Sequence, residues 1–373
     1  MVKNRFRQHM LTEILLDVGC TQLSALPLSW FNDTPTEFMD AIQPIGILQP
    51  EEVALWHSDF QRIGATYKRN NPLSQSDPFG VKWHEDPNSG FSPILHPIRD
   101  RHSPLPPATQ LSFTHQGVYR PYTIFDAPVP GILGLAFLMR GYWNLLSDFA
   151  HDPISAHRIL DWSTELVLQY YQQLFDSTEI SADIVFYGDD IAFVNGTFLS
   201  EEMYRAFLFP KMRRVLCWLK NQSQAAILFH SCGDISPYID DLVQLEIDIL
   251  NVDTGIKNMS LDKLRAQIPN TMVLYGGVDL CEIGCLLRKG DVALLAKRLQ
   301  FLKLIMPWIA ATTEPPTTQE RKRDCITAIT TLKSNTKLFE KLSQVTDWQE
   351  LASQLINEYR QSDLGVSHGV EAL

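Results

Sequence analysis

His230 and Cys232 flank a single residue where the apolar run Ala225–Phe229 stops. In an extended segment, residues i and i+2 point to the same side, so an imidazole and a thiol face one way. Both are zinc ligands, and H-x-C supplies two of the usual three or four donors. The plainer alternative is a histidine at a strand end beside a small buried thiol, because free cysteine is commonly buried. A second group, Asp189 and Asp190, follows the run "VFYG" that contains Tyr187. Adjacent carboxylates can share a metal, orient a substrate cation, or raise one another's pKa into the range of a general acid. A loop aspartate that accepts backbone N–H groups is the alternative. Cys281 and Cys285, four apart, share one face of a helix; they read as a weak metal pair or as two buried thiols. Tyr142 and Trp143, at a helix start, read as core residues, with stacking on a planar ligand as the alternative.

These groups need elements to hold them. From Tyr119 onward the chain alternates short apolar runs with amphipathic ones. "YTIFDAPVPG", "ADIVFYGDD", "AAILFHSCGD", "DILNVDT", "TMVLYGGVD" and "PWIAATTEPP" read as strands. The stretches between them carry helical spacing, with Asp152-Pro153 and Ser200 as helix-start signals. Repeated strand–helix units imply a parallel sheet, and their number, without a dinucleotide glycine fingerprint, predicts a (β/α)8 TIM barrel. The expected organisation is an N-terminal helical and hairpin excursion over 1–118, a barrel over 119–335 and a helical tail over 336–373. Within the excursion, helices are expected near Phe6–Asp17 and Pro50–Ile63, and the Pro- and Gly-dense stretch 70–110 is read as loop or hairpin. Working residues of such barrels sit at the C-terminal strand ends. That rule selects Asp126; Tyr187, Asp189 and Asp190; His230, Cys232 and Asp234; Asp253; Asp279 and Cys281; and Thr312, Thr313 and Glu314.

The chain has 373 residues, 45% hydrophobic and 20% charged, with a net charge of −11. An acidic chain offers no basic face for nucleic acid. No apolar run approaches the length of a bilayer span, about 18 residues, and the N-terminus lacks the apolar core of a signal peptide. The cysteines are Cys20, Cys217, Cys232, Cys281, Cys285 and Cys325. In a large chain of this type they are expected as free thiols in a reducing, cytoplasmic setting. Cys20, Cys217 and Cys325 lie in helical contexts and read as core, and "RKR" at 321–323 as an exposed helix face.

Several stretches resemble the uroporphyrinogen decarboxylase (URO-D) superfamily. They are "GILGLAFLMRGYWNLLSDFAHDP", "YGDDIAFVNGTFLSEEMYRAFLFPKMRRV", "LFHSCGDISPYIDDLVQLEIDILNVD", "LYGGVDL", the early "DPFGVKWHEDPNSG…HPIRD" and the late "EPPTTQERKRD". The resemblance spans roughly 77–331 and implies a (β/α)8 barrel. One branch of the family decarboxylates a porphyrinogen without metal and carries an R-Q-A-G-R loop that this chain lacks. The other moves a methyl group between a corrinoid and a thiol, binding zinc through H-x-C and a further cysteine near the last strand. His230 and Cys232 match that H-x-C, whereas the further cysteine falls near Thr312, leaving Cys281 or Glu314 as the substitute. The resemblance to this branch implies an enzyme: a zinc-assisted methyltransferase with a small-molecule substrate and a corrinoid donor, free or on a corrinoid protein. Tyr187, Asp189 and Asp190 would be catalytic. Asp126, Arg140, Asp253 and Asp279 would bind substrate, and His230, Cys232 and Cys281 would bind metal. The alternatives are porphyrinogen-type decarboxylation, with Arg140 and the strand-end aspartates holding carboxylates and pyrrole N–H groups, and a barrel that binds a ligand without turning it over.

Overall fold

The computed structural model describes residues 15–17, 59–66, 79–86, 90–116, 121–305, 307–311, 318–335 and 338–362. In chain order the strands are β1 (Leu15–Asp17), β2 (Phe60–Thr66), β3 (Lys82–Asp86), β4 (Gly90–Leu95), β5 (Ser112–Gln116), β6 (Tyr122–Phe125), β7 (Ile184–Gly188), β8 (Ala192–Phe193), β9 (Gly196–Thr197), β10 (Ala226–Ser231), β11 (Ile249–Val252), β12 (Val273–Tyr275) and β13 (Trp308–Ala311). The described residues divide into two compact units, one from 61 to 248, the other from 249 on together with 15–17 and 59–60.

In the first unit the strands run in the order β10, β7, β6, β2, β5. β6, β7 and β10 pair in parallel, and β2 pairs antiparallel with β5. Every residue of β7 and β10 is buried. That explains their near-continuous apolar runs, since parallel strands are covered on both faces. Each large side chain so buried contributes about 1.5–3 kcal/mol. The Pro- and Gly-dense stretch contains the β3–β4 hairpin. The longer α-helices are α1 (Ile132–Arg140), α2 (Tyr142–His151), α3 (Pro153–Asp176), α4 (Phe209–Gln222), which follows the short helical segments Glu201–Met203 and Tyr204–Leu208, and α5 (Ile239–Gln244). α1 and α2 are separate helices, because Gly141 adopts φ 87° between them. Asp152 caps α3 by accepting from Ser155 N, with Pro153 in its first turn.

In the second unit β1, β13, β12 and β11 lie side by side, and each adjacent pair is parallel. Its helices are α6 (Leu261–Gln267), α7 (Leu280–Lys289), α8 (Val292–Ile305), α9 (Gln319–Ser334), α10 (Leu338–Gln344) and α11 (Trp348–Gln361). α7 and α9 approach closely at Gly284, where an added Cβ would lie 1.5 Å from the Asp324 carbonyl oxygen. A side chain there would force the helices apart.

Leu15–Asp17 and Phe60–Ile63, expected as helix, are strand. The remainder of those two stretches, 6–14 and 50–58, lies outside the described residues apart from Asp59, and so does Cys20. Both strands are short, and their pairing partners, β13 and β5, lie far along the chain. Helical spacing over so few residues therefore could not distinguish the two states. Cys217 is exposed rather than core, and within "RKR" the middle residue, Lys322, is buried. No helix among the described residues is long and apolar enough to cross a membrane.

Candidate metal centre

The centre is a consequence of strand register. β10 pairs with β7 so that Phe229 faces Tyr187 and His230 faces Gly188. The two residues after Gly188 are the aspartates, and the two after His230 lead to Cys232. Parallel neighbours ending together therefore place Asp189-Asp190 beside His230–Cys232. The Asp189 N–H donates to the His230 carbonyl at 3.0 Å, continuing the ladder past the end of β7. Ser231 locks the junction, its hydroxyl accepting from Ile191 N at 3.2 Å and donating to the Cys232 carbonyl at 2.9 Å.

Cys232 Sγ lies 3.4 Å from His230 Nε2, so thiol and imidazole converge as the i, i+2 spacing required. Two ligands of one tetrahedral zinc, at about 2.3 Å for sulfur and 2.0–2.1 Å for nitrogen, are about 3.5 Å apart. Asp190 supplies the third donor. Its Oδ1 accepts from the Cys232 N–H at 2.7 Å and lies 3.8 Å from His230 Nε2. Among the described residues, Asp190, His230 and Cys232 are the group whose three ligand atoms lie within 4.8 Å of one another. His230 is 8% exposed, and its Nδ1 is buried without a hydrogen-bond partner. Nε2 is thus the nitrogen turned toward the other two donors. A carboxylate, an imidazole and a thiol in this arrangement fit zinc chemically, since all three are ordinary zinc donors.

Asp189 points elsewhere. Its carboxylate is fully buried and accepts from Leu133 N at 3.0 Å, Gly134 N at 2.9 Å and the Tyr187 hydroxyl at 3.1 Å. The first two are orphan N–H groups in the first turn of α1, whose N-cap, Gly131, has no side chain to serve them. Asp189 thus caps the helix from another strand. Gly131 permits this, because a Cβ there would meet Asp189 Cβ at 2.3 Å. Burial pushes the Asp189 carboxyl up to about 6, opposed by those donors and reinforced by the charge of Asp190. Tyr187 is buried with its hydroxyl between Ile132 N and Asp189, and burial raises it well above the usual phenol range.

The other expected residues are distributed as follows. Asp126 pairs with Arg62. Arg140, expected at the ligand, is buried, its guanidinium bonded to Asp148 and to the carbonyls of Ile98 and Arg99. Asp234 accepts from Ser236 N and Oγ, closing the turn that follows. Asp253, Asp279 and Cys281 belong to the second unit. Asp279 is the N-cap of α7, accepting from Cys281 N at 2.8 Å. Cys281 is buried against Cys325, whose thiol is raised well above its ordinary value by that hydrogen bond and by burial. Cys281 is not in the converging group, whose third donor is the Asp190 carboxylate rather than either expected substitute, Cys281 or Glu314. The available signal was positional: the aspartates follow β7 at the same level as H-x-C on β10. Thr312, Thr313 and Glu314 lie outside the described residues. Tyr142 and Trp143, expected as core, are 46% and 84% exposed.

Residues 129–287 match the family model described as uroporphyrinogen decarboxylase (URO-D). The match includes Asp190, His230 and Cys232. A search of curated proteins by sequence gave no match. Among solved structures, a methyltransferase from Methanosarcina mazei is similar in fold, with a TM-score of 0.53 and 15% identity over 88% of this chain and 97% of that one. At that identity the likeness is one of fold alone. The family and this neighbour are those of enzymes.

Proposed function

We propose that this URO-D protein is a cytoplasmic, zinc-assisted methyltransferase that moves a methyl group from a corrinoid donor to a thiol. We propose further that residues 119–335 are one (β/α)8 barrel, flanked by the excursion over 1–118 and the tail over 336–373. The observation that carries the functional reading is the convergence of Asp190, His230 and Cys232. The fold neighbour, itself a methyltransferase, supports it.

A zinc ion held by these three would keep a substrate thiol as the thiolate, the nucleophilic form. Asp190 in place of a second protein thiolate preserves the donor charge: one carboxylate and one thiolate carry two negative charges, as two thiolates do. The chain's own residues do the positioning. The Cys232 N–H fixes the Asp190 carboxylate. Asp189, through its hold on α1 and its Tyr187 partner, keeps the end of β7 in place. His230 is buried, while Asp190 and Cys232 are half-buried and leave the donor group open to a substrate. Decarboxylation, suggested by the family's name, loses support from Arg140, whose guanidinium is committed to Asp148 and two carbonyls.

The test is metal analysis of purified protein, paired with methyl transfer from methylcobalamin to a thiol. About one zinc per chain is expected, lost in Cys232→Ser and His230→Ala together with transfer. Transfer that persists in a zinc-free variant would refute the reading.

A further inference from the structure

An aromatic wall beside the donor group is unused by that reading. Tyr142 lies flat on Phe137, with centroids 3.8 Å apart and planes 6° from parallel. Phe198 stands edge-on to both, at 5.2 Å from Tyr142 and 5.3 Å from Phe137. Phe193 continues the wall at 5.5 Å from Phe198. The wall is tied to the centre by the backbone, since the Asp234 N–H, two residues past Cys232, donates to the Phe193 carbonyl at 3.0 Å. Phe193 also lies three residues past Asp190. The Tyr142 hydroxyl feels the charge of Asp190, which, after burial, helps push it up to about 12.

Burial is uneven across the stack. Phe137 is 3% exposed, whereas Tyr142 and Phe193 are each 46% exposed. Among the described residues no ring covers the other face of Tyr142. Core aromatics are covered on both sides; a stack that stops after two rings, with its outer ring open beside three converging metal donors, is a surface for a third ring. Aromatic side chains lining a site with a few convergent polar groups are how ligands are oriented.

We propose that Tyr142, backed by Phe137 and walled by Phe198 and Phe193, is a specificity-determining residue that stacks on a flat, conjugated ring of the small-molecule substrate. The substrate class is then an aromatic or heteroaromatic compound rather than a purely aliphatic one. The proposal rests on the site's small-molecule role, but its geometry is independent of the metal.

The test uses two pairs of probes and the full chain. Benzyl mercaptan and cyclohexylmethyl mercaptan share a thiol and differ in ring flatness; benzyl alcohol and cyclohexylmethanol repeat the contrast without a metal ligand. Binding is measured by ligand-observed NMR on wild type, Tyr142→Phe and Tyr142→Leu, with circular dichroism to confirm folding and zinc measured on each sample. An aromatic pair contact is expected to favour the benzyl compounds about fivefold. The preference should survive in Tyr142→Phe and fall to about unity in Tyr142→Leu, with zinc content unchanged. Equal binding of both rings by wild type, or a preference that persists in folded Tyr142→Leu, overturns the proposal. A benzyl preference in protein that holds no zinc would refute the metal reading and leave this one standing; full zinc with no preference would do the reverse.

Discussion

Cys232 and the Cys281–Cys325 pair are the same side chain in two situations. Cys232 sits past the end of β10, half-buried, with an imidazole nitrogen at 3.4 Å and a carboxylate on its own N–H. Cys281 and Cys325 are free thiols buried on α7 and α9 and hydrogen-bonded to each other where Gly284 lets the helices meet. The first has ligands of different chemistry converging on it and some access. The second is buried, and the hydrogen bond between the thiols, burial and the nearby charges of Asp279 and Asp324 push Cys325 away from the thiolate. What a cysteine can do is set by what faces it and by whether water or a ligand can reach it.

The largest expected effect separates the two by metal. Cys232→Ser should weaken zinc binding by more than about a hundredfold, since losing a direct ligand exceeds the cost of losing an outer partner. Cys281→Ser should leave zinc affinity within about twofold, because replacing a residue that is no ligand spares the donor set. Competition with a chromogenic chelator measures both, and zinc loss in Cys281→Ser would break the comparison.

Next come the packing features behind each. Gly284→Ala should destabilise the protein by about 3 kcal/mol or more, the upper range of overpacking, because the added methyl meets helix backbone rather than a movable side chain. Asp189→Ala should cost about 2 kcal/mol through two uncapped N–H groups of α1. Urea unfolding reads both. If Asp189→Ala is as stable as wild type, the cap is not holding α1.

Thiol access should differ more gently. In native protein, an aromatic disulfide reagent should react with Cys217 and Cys232 before Cys281 and Cys325, the latter two only after unfolding. Added zinc should protect Cys232 alone. Rapid labelling of Cys325 in folded protein would contradict its burial.

The smallest effect is at the opposite end of β7. Burial raises the Asp183 carboxyl, which accepts from Thr123 N, above its ordinary 3.8. The folded state then holds that proton more tightly than the unfolded chain. Its contribution is complete below about 3.8 and is lost as pH rises through the raised value. Stability of wild type relative to Asp183→Asn should therefore decline with rising pH in that window. A rise would contradict the shift.

The parts legible in the sequence were those fixed by local pattern. β6, β7 and β10 to β13 announce themselves as short apolar runs, and the i, i+2 rule made His230 and Cys232 converge. The identity of the third donor was not legible, because it depends on how β7 and β10 register, which neither strand encodes alone. Arg140, at the end of α1, and Asp279, after β12, were both expected at the ligand, yet one is consumed by Asp148 and the other by the start of α7. Position along the chain gave no sign of those partners. The exposure of Tyr142 was hidden for a similar reason: Gly141 ends α1 and turns the next helix, so the apolar spacing does not continue through it.

The most direct test of the central claim is X-ray absorption at the zinc edge on protein loaded with one equivalent of zinc, without added thiol. The account predicts a single zinc–sulfur distance of about 2.3 Å per ion, with the remaining ligands nitrogen or oxygen at about 2.0–2.2 Å. Two sulfurs per zinc, or a sulfur shell that survives in Cys232→Ser, would contradict it.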